Sequence, residues 1–156
     1  MAKGIQAEIK QNKPFATLED EFFSALMRTA DHLDAQVASL LKPYELSPTQ
    51  YNALRILRGA GPDGLACNEI GVRMLTHDPD ITRLLGRLEK RGLAERRRGQ
   101  ADRRVITTRI TPAGLELLKS LDRPVAEHQR KLLGNLGDSR LQSLLRVMQT
   151  IRERAA

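Results

Sequence analysis

The chain has one cysteine, Cys67, no tryptophan, and 3% aromatic residues. A lone thiol excludes an internal disulfide and makes a reducing cytoplasm the expectation. Scarce aromatics and abundant leucine favour helices packed by aliphatic side chains over a β-sandwich. No window approaches the roughly 18 uncharged apolar residues of a membrane span. The opening MAKGIQAEIKQNK lacks the apolar core of a secretory signal. No membrane partner is expected. Repeats and low-complexity tracts are missing too. There is no G-x-S-x-G, phosphate-binding glycine loop, paired carboxylate motif or metal-ligand spacing. His32, flanked by Asp31 and Asp34, has no helical HxxxH partner, and neither His77 nor His128 falls in a Cys/His cluster. These absences argue against an enzyme, a metal centre and a cofactor.

What is present is charge, and it is concentrated. Residues 82–109 hold ten basic side chains (Arg83, Arg87, Lys90, Arg91, Arg96, Arg97, Arg98, Arg103, Arg104, Arg109) against three acids (Glu89, Glu95, Asp102). The segment therefore carries the whole net charge of +7, while the other 128 residues balance 16 basic against 16 acidic groups. A basic excess confined to one stretch is the footprint of a surface that docks on a polyanion. The total of 156 residues suits one domain with a real core.

Residues 1–16 read as a loose polar arm. Thr17 then serves as N-cap, with Glu19, Asp20 and Glu21 placed well against the helix dipole. Apolar positions at Leu18, Phe22, Leu26, Leu33, Val37 and Leu40/Leu41 form a helical stripe of about seven turns that stops before Pro43. A helix this long on so small a protein often reaches outside its own subunit. Ser47-Pro48-Thr49-Gln50 is a capping box opening a short helix through Tyr51, Leu54 and Leu57, stopped by the Gly59–Gly64 loop. A brief helix is expected from about Cys67 to Met74. Asp78 is expected to cap the next, with Pro79 at its first position and Gly92 as the stop. Residues 93–98 and 105–110 read as two strands, with Gly99–Asp102 as their turn. Thr111-Pro112 restarts a helix through Leu115, Leu118 and Leu121, with a kink expected at Pro124. After Gly134–Gly137, Leu141, Leu144, Leu145, Met148 and Ile151 line a final amphipathic helix. The predicted fold is mainly α with a small β-hairpin: a winged helix-turn-helix flanked by long helices at both ends.

At about 100° per residue from Pro79 to Arg91, the residues Ile81, Leu84, Leu85 and Leu88 gather on a core side. The opposite side carries Pro79, Thr82, Arg83, Gly86 and Lys90, with Asp80 and Arg87 at its margins. Such a face suits a major groove: arginine donates in pairs to guanine, an acid near the helix start accepts from the cytosine amino group, and Thr82 reaches a phosphate or thymine methyl. Gly86 costs up to about 1 kcal/mol of helix stability relative to alanine, but would let the backbone approach DNA closely. A solvated charged face with an incidental glycine is the plainer alternative. In the hairpin, RRRGQADRR crowds Arg96, Arg97, Arg98, Arg103 and Arg104 around one turn, and phosphates or a minor groove would offset their repulsion. Asp102 reads as an orienting partner for a neighbouring arginine or for the turn backbone. Arg73 and Thr76, just before the reading helix, complete the candidate DNA-binding set.

The stretches LSPTQYNALRIL, EIGVRMLTHDPDITRLLGRLEKRGLAERR and ADRRVITTRITPAG resemble the MarR family of bacterial transcriptional regulators, over about residues 17–154. Most specific are the Thr-Arg-Leu reading helix, the RGL that follows, the DRR wing and the Thr-Pro-Ala-Gly restart. The resemblance implies a homodimer built from the first and last helices, with Leu18, Phe22, Leu141, Leu144, Leu145, Met148 and Ile151 as interface candidates. It also implies double-stranded DNA with a palindromic operator as partner. It divides the chain into a flexible arm (1–16), a dimerisation helix (17–45), a winged helix-turn-helix domain (46–111) and C-terminal dimerisation helices (112–156). The implied reading helix is 78–91, and the implied wing residues are Asp102 and Arg104, with Arg103 beside them. Two positions depart from the family pattern. Gly86 stands where an acid is common, so DNA preference does not carry over, and Ala66 stands where a capping Thr or Ser is common.

Many members of that family respond to small phenolic or aromatic anions in a cleft between the dimer helices and the reading domain, and such a ligand is expected here by resemblance. Cys67, near a helix N-terminus where thiol pKa tends to drop, is a redox candidate, and a small, semi-buried core cysteine is the plainer alternative. The leading expectation is a sequence-specific DNA-binding repressor. A protein-interaction module that keeps the winged helix as a scaffold is the competitor, and it gives no reason for arginines on both helix and wing.

Overall fold

A computed structural model describes residues 4–77, 80–99, 102 and 104–155. The chain forms two compact units, 1–52 and 53–156, and the division falls inside one helix. In the first unit, a single turn α1 (Ile5–Glu8) contacts α2 (Leu18–Leu41), so the expected arm contains one helical turn. Thr17 caps α2 as expected: its Oγ1 accepts from the Asp20 N–H at 3.1 Å. The helix ends in a 3₁₀ turn, Lys42–Tyr44, that holds Pro43, and Glu45 follows in the left-handed region at φ 54°. The capping box at α3 (Pro48–Ala60) is closed in both directions. The Gln50 N–H donates to Ser47 Oγ at 3.1 Å, and the Ser47 N–H donates to Gln50 Oε1 at 3.0 Å.

The second unit takes up α3 from Ala53 and continues with β1 (Leu65–Ala66), α4 (Cys67–Arg73), α5 (Ile81–Lys90), β2 (Ala94–Arg98), β3 (Ile106–Ile110), α6 (Pro112–Leu133) and α7 (Asp138–Ala155). Its sheet is antiparallel in the order β1-β3-β2. The third strand, β1, was not expected. Its two residues are too few to carry a periodicity, and they pair Leu65 with Thr108 and Ala66 with Thr107. Gly64 admits this strand: its φ is +71°, and a Cβ there would lie 2.4 Å from the Thr108 carbonyl oxygen. Leu54, Leu57, Ile70, Leu85, Leu88, Leu118 and Leu121 are fully buried and form the aliphatic core that the leucine content promised.

Several boundaries differ from expectation. The hairpin strands each begin one residue later than predicted, at Ala94 and Ile106, and Gly99 bonds to Val105 rather than closing a turn at Asp102. α3 runs through Gly59 to Ala60. α4 starts at Cys67 without a side-chain cap from Ala66, which has no acceptor; Glu69 supplies the reciprocal half, its Oε2 accepting from the Ala66 N–H at 3.1 Å. α6 passes through Pro124 and runs on to Leu133. It is tied to α3 by Arg58, whose Nη1 lies 2.9 Å from both oxygens of Asp122. The start of α6 packs closely on the preceding chain. Thr111 Oγ1 donates to the Gly92 carbonyl at 2.6 Å, and a Cβ on Gly114 would fall 2.3 Å from the Leu93 carbonyl oxygen.

Candidate nucleic-acid interface

The reading helix α5 begins at Ile81, later than the sequence suggested. Asp80 is the N-cap, its Oδ1 accepting from the Arg83 N–H at 2.9 Å. Both Asp78 and Asp80 satisfy the sequence rule for a cap, and only the helix geometry chooses between them. The Asp80 oxygen offered to a cytosine in the sequence reading is therefore engaged with its own helix. Asp78, Pro79 and Arg103, all candidate DNA-binding residues, lie outside the described residues. Leu84, Leu85 and Leu88 are buried, whereas Thr82, Arg83, Arg87 and Lys90 are exposed on the opposite side. Arg73 closes α4 and Thr76 lies in the connection to α5, both exposed.

The hairpin register sorts the wing charges by face. β2 residues 95 and 97 share one face with Arg109 and Thr107 of β3; residues 94, 96 and 98 share the other with Ile110, Thr108 and Ile106. On the first face Glu95 accepts a hydrogen bond from Arg109 Nε and lies 3.4 Å from Arg97 Nε. Arg109 beside Glu95 holds that carboxyl below its ordinary range, and the charge of Arg97 acts in the same direction. On the second face Arg96 turns back onto α5 and pairs with Glu89 at 3.0 Å. Arg97, a candidate DNA contact, thus has an acidic neighbour, although its side chain stays 57% exposed. Arg98 and Arg104 are exposed and, like Arg83, Arg87 and Lys90, have no acidic partner among the described residues. Asp102 orders the wing turn through the backbone: its Oδ1 accepts from the Arg104 N–H at 2.9 Å, one of the two partners expected for it.

Gly86 does not face open space alone. A Cβ there would sit 3.9 Å from Arg96 Nη2, an ordinary contact. Sequence reasoning counted Arg96 with the wing cations and missed Glu89, Glu95 and Arg109 as parts of the site. The available signal was the presence of two acids inside an arginine-rich stretch, which calls for internal partners. Cys67 is half-buried at the first position of α4, with its Sγ 3.7 Å from Thr82 Oγ1 on the reading helix.

Candidate dimer residues Leu18 and Phe22 on α2, and Leu144 and Leu145 on α7, are exposed; Leu141, Met148 and Ile151 are partly covered. In the first unit, a surface cleft of about 410 Å³ is lined by Ala38, Ser39, Lys42, Glu45, Leu46, Ser47 and Pro48. Among the described residues no His/Cys/Asp/Glu group could hold a metal, and no helix is long and apolar enough to cross a membrane.

The MarR family model matches residues 44–105. The chain is 41% identical to a MarR transcription factor from Planctomyces limnophilus, over 88% of this chain and 99% of that one, with a TM-score of 0.66. It is 28% identical to CouR, a transcriptional repressor solved on a 23-mer DNA duplex, over 91% of this chain and 99% of that one, with a TM-score of 0.77. The HTH-type transcriptional regulator TtmR of Methylorubrum extorquens is 29% identical over 120 residues, which make up 77% of this chain and 60% of that protein. The chain thus spans less than two thirds of that relative's length. These matches are to transcriptional regulators rather than enzymes. A helix-turn-helix with an arginine wing, matched by the family model and by a 41% identical MarR factor along nearly that factor's whole length, places this chain in the MarR family of DNA-binding transcriptional regulators.

Proposed function

We propose that the protein binds a palindromic operator as a homodimer and represses transcription from it, with a small aromatic or phenolic anion tuning the grip. One observation carries the reading. Thr82, Arg83, Arg87 and Lys90 line the exposed side of a helix whose other side is buried, and Arg98 and Arg104 stand exposed on the adjoining wing. In this assignment α5 enters the major groove, Arg83 and Arg87 read guanines, and Gly86 lets the helix sit close. Arg73, Thr76 and Lys90 hold phosphates, and the wing arginines Arg97, Arg98, Arg103 and Arg104 approach the minor groove around a turn ordered by Asp102. Asp80 caps the helix start, and Asp78 and Pro79 belong to the proposed DNA-binding set. Residues 46–111 form the DNA-binding domain, while 17–45 and 112–156 bring two copies together through Leu18, Phe22, Leu141, Leu144, Leu145, Met148 and Ile151. CouR, a repressor bound to a duplex, supports the reading. The ligand rests on family resemblance.

Selection of bound sequences from random duplexes, repeated with a panel of aromatic acids, tests the two-fold operator and the ligand. The expected product is a two-fold site whose halves are centred roughly 10 bp apart, and at least one acid should weaken binding. An asymmetric single site, or a sedimentation profile of a lone monomer, would refute the dimeric operator. A second reading has its own observation: Cys67 Sγ lies 3.7 Å from Thr82 Oγ1, so oxidation of the thiol would disturb the reading face. Peroxide should then release DNA from the wild type and not from Cys67→Ser. Indifference of the wild type to peroxide ends that reading.

A further inference from the structure

We propose that Arg96, although it sits among the wing arginines, is a positioning residue and not a DNA contact: together with Glu89 it braces the wing along the reading helix. The inference rests on the reading of α5 and the wing as the DNA-binding surface.

Arg96 makes three bonds to one helix. Its backbone N–H donates to Glu89 Oε1 at 3.0 Å, its Nε lies 3.0 Å from Glu89 Oε2, and its Nη2 donates to the Thr82 carbonyl at 3.3 Å. One carboxylate therefore holds both the main chain and the side chain of the same strand residue. Thr82 lies in the first turn of α5 and Glu89 in the last, and the carbonyl of the one and the carboxylate of the other converge on a single guanidinium. A single attachment would leave the strand free to swivel on the helix; two separated ones fix its direction. Residues 82, 86 and 89 fall on one helical stripe, so the guanidinium passes over position 86 between its two anchors. The glycine there leaves the passage open: a Cβ would lie 3.9 Å from Nη2, an ordinary contact.

The charges point the same way. Glu89 neutralises Arg96: the carboxylate is half-buried at 27% exposure, and the arginine beside it remains 39% exposed. A cation already matched by a carboxylate releases few phosphate counterions on binding. Arg98, two residues further along the same strand face and exposed, is the wing cation that the brace would deliver to DNA.

Glu89→Gln separates the alternatives by sign. It removes an acid from a DNA-binding surface, so a count of charges demands tighter binding to every duplex. The brace demands the opposite: about tenfold weaker binding to a duplex selected from random DNA, with little change on a scrambled duplex of equal length. Arg96→Ala and Arg96→Lys should share that loss, since lysine keeps the charge but not the planar fork. Their slope of log affinity against log salt should match the wild type, whereas Arg98→Ala should lower it by about one. Tighter binding by Glu89→Gln, or a slope lowered by about one in Arg96→Ala, overturns the proposal. So does a Glu89→Gln variant that melts earlier yet keeps the wild-type ratio of selected to scrambled affinity, because that marks a merely stabilising pair. If Arg96→Ala does not fold, the near-isosteric Glu89→Gln decides alone. A wild type that ignores every duplex would instead bring down the DNA-binding reading, and the brace with it.

Discussion

Glu95 faces Arg109 across the hairpin and Arg97 along its own strand. The side-chain hydrogen bond from Arg109 lowers its pKa, desolvation opposes this, and the charges of Arg109 and Arg97 lower it further. A carboxyl depressed in the folded state adds stability above its ordinary value and loses it as pH falls through the lowered one. Glu95→Gln should therefore melt below the wild type at neutral pH, with the gap closing as acid passes the ordinary value of 4.5. A gap that stays constant to low pH would assign the loss to packing instead. The sequence made the cationic excess plain but not which cations remain available, because cross-strand partners depend on register, and no charge count predicts register. Arg109 meets Glu95 in that way, Arg97 shares the same carboxylate along its own strand and Arg96 pairs with Glu89 of α5, whereas Arg83 and Arg104 have no acidic partner among the described residues. Arg83→Ala should lose about 1–3 kcal/mol of discrimination at particular base pairs; equal weakening on random DNA would make it a phosphate contact. Arg104→Ala should weaken binding broadly and lower the salt slope by about one, and an unchanged slope would take the wing tip out of the contact.

At the scale of elements, the legible features were those with a local chemical signature. Thr17 and Ser47 announce helix starts because their oxygens satisfy orphan N–H groups, and Gly92 announces a stop because it adopts φ 69°. The periodic leucines of α5 gave its buried side. The start of α5 was misplaced because two aspartates compete for one cap, and β1 was missed because two residues have no period. Gly114 shows a constraint that only tertiary structure reveals: it opens α6 against the Leu93 carbonyl and Ile110. Gly114→Ala should cost about 1–3 kcal/mol in urea unfolding, since that carbonyl belongs to backbone and cannot step aside. Gly86→Ala, where the same atom meets only ordinary contact, should be neutral or stabilise by up to about 1 kcal/mol. A Gly114→Ala variant as stable as Gly86→Ala would show that helix propensity, not close approach, governs both.

At the scale of the whole molecule, charge and apolar surface are segregated. Outside residues 82–109 the chain is electrically balanced, at 16 basic against 16 acidic groups, so two copies could meet through that remainder without net repulsion. Within that remainder, α2 exposes Leu18, Phe22, Phe23 and Met27, and α7 exposes Leu144, Leu145 and Val147. So many large apolar side chains on two helices call for cover. Sequence periodicity supplied Leu18, Phe22, Leu144 and Leu145 but not Phe23, Met27 or Val147, and it could not say which positions the chain covers by itself: Leu41 proved fully buried, whereas Leu145 is 68% exposed. Leu145→Glu tests the cover directly. Because the side chain is already exposed within its own chain, the variant should keep its helical circular dichroism and its unfolding profile at low concentration. In the proposed homodimer the dissociation constant should rise by roughly tenfold or more, as expected for a charge set into an apolar contact. Affinity for a two-fold site should fall with it, while affinity for an isolated half-site should hold. Unchanged dimerisation would assign the exposed face of α7 to some other partner and leave α2 to join the copies.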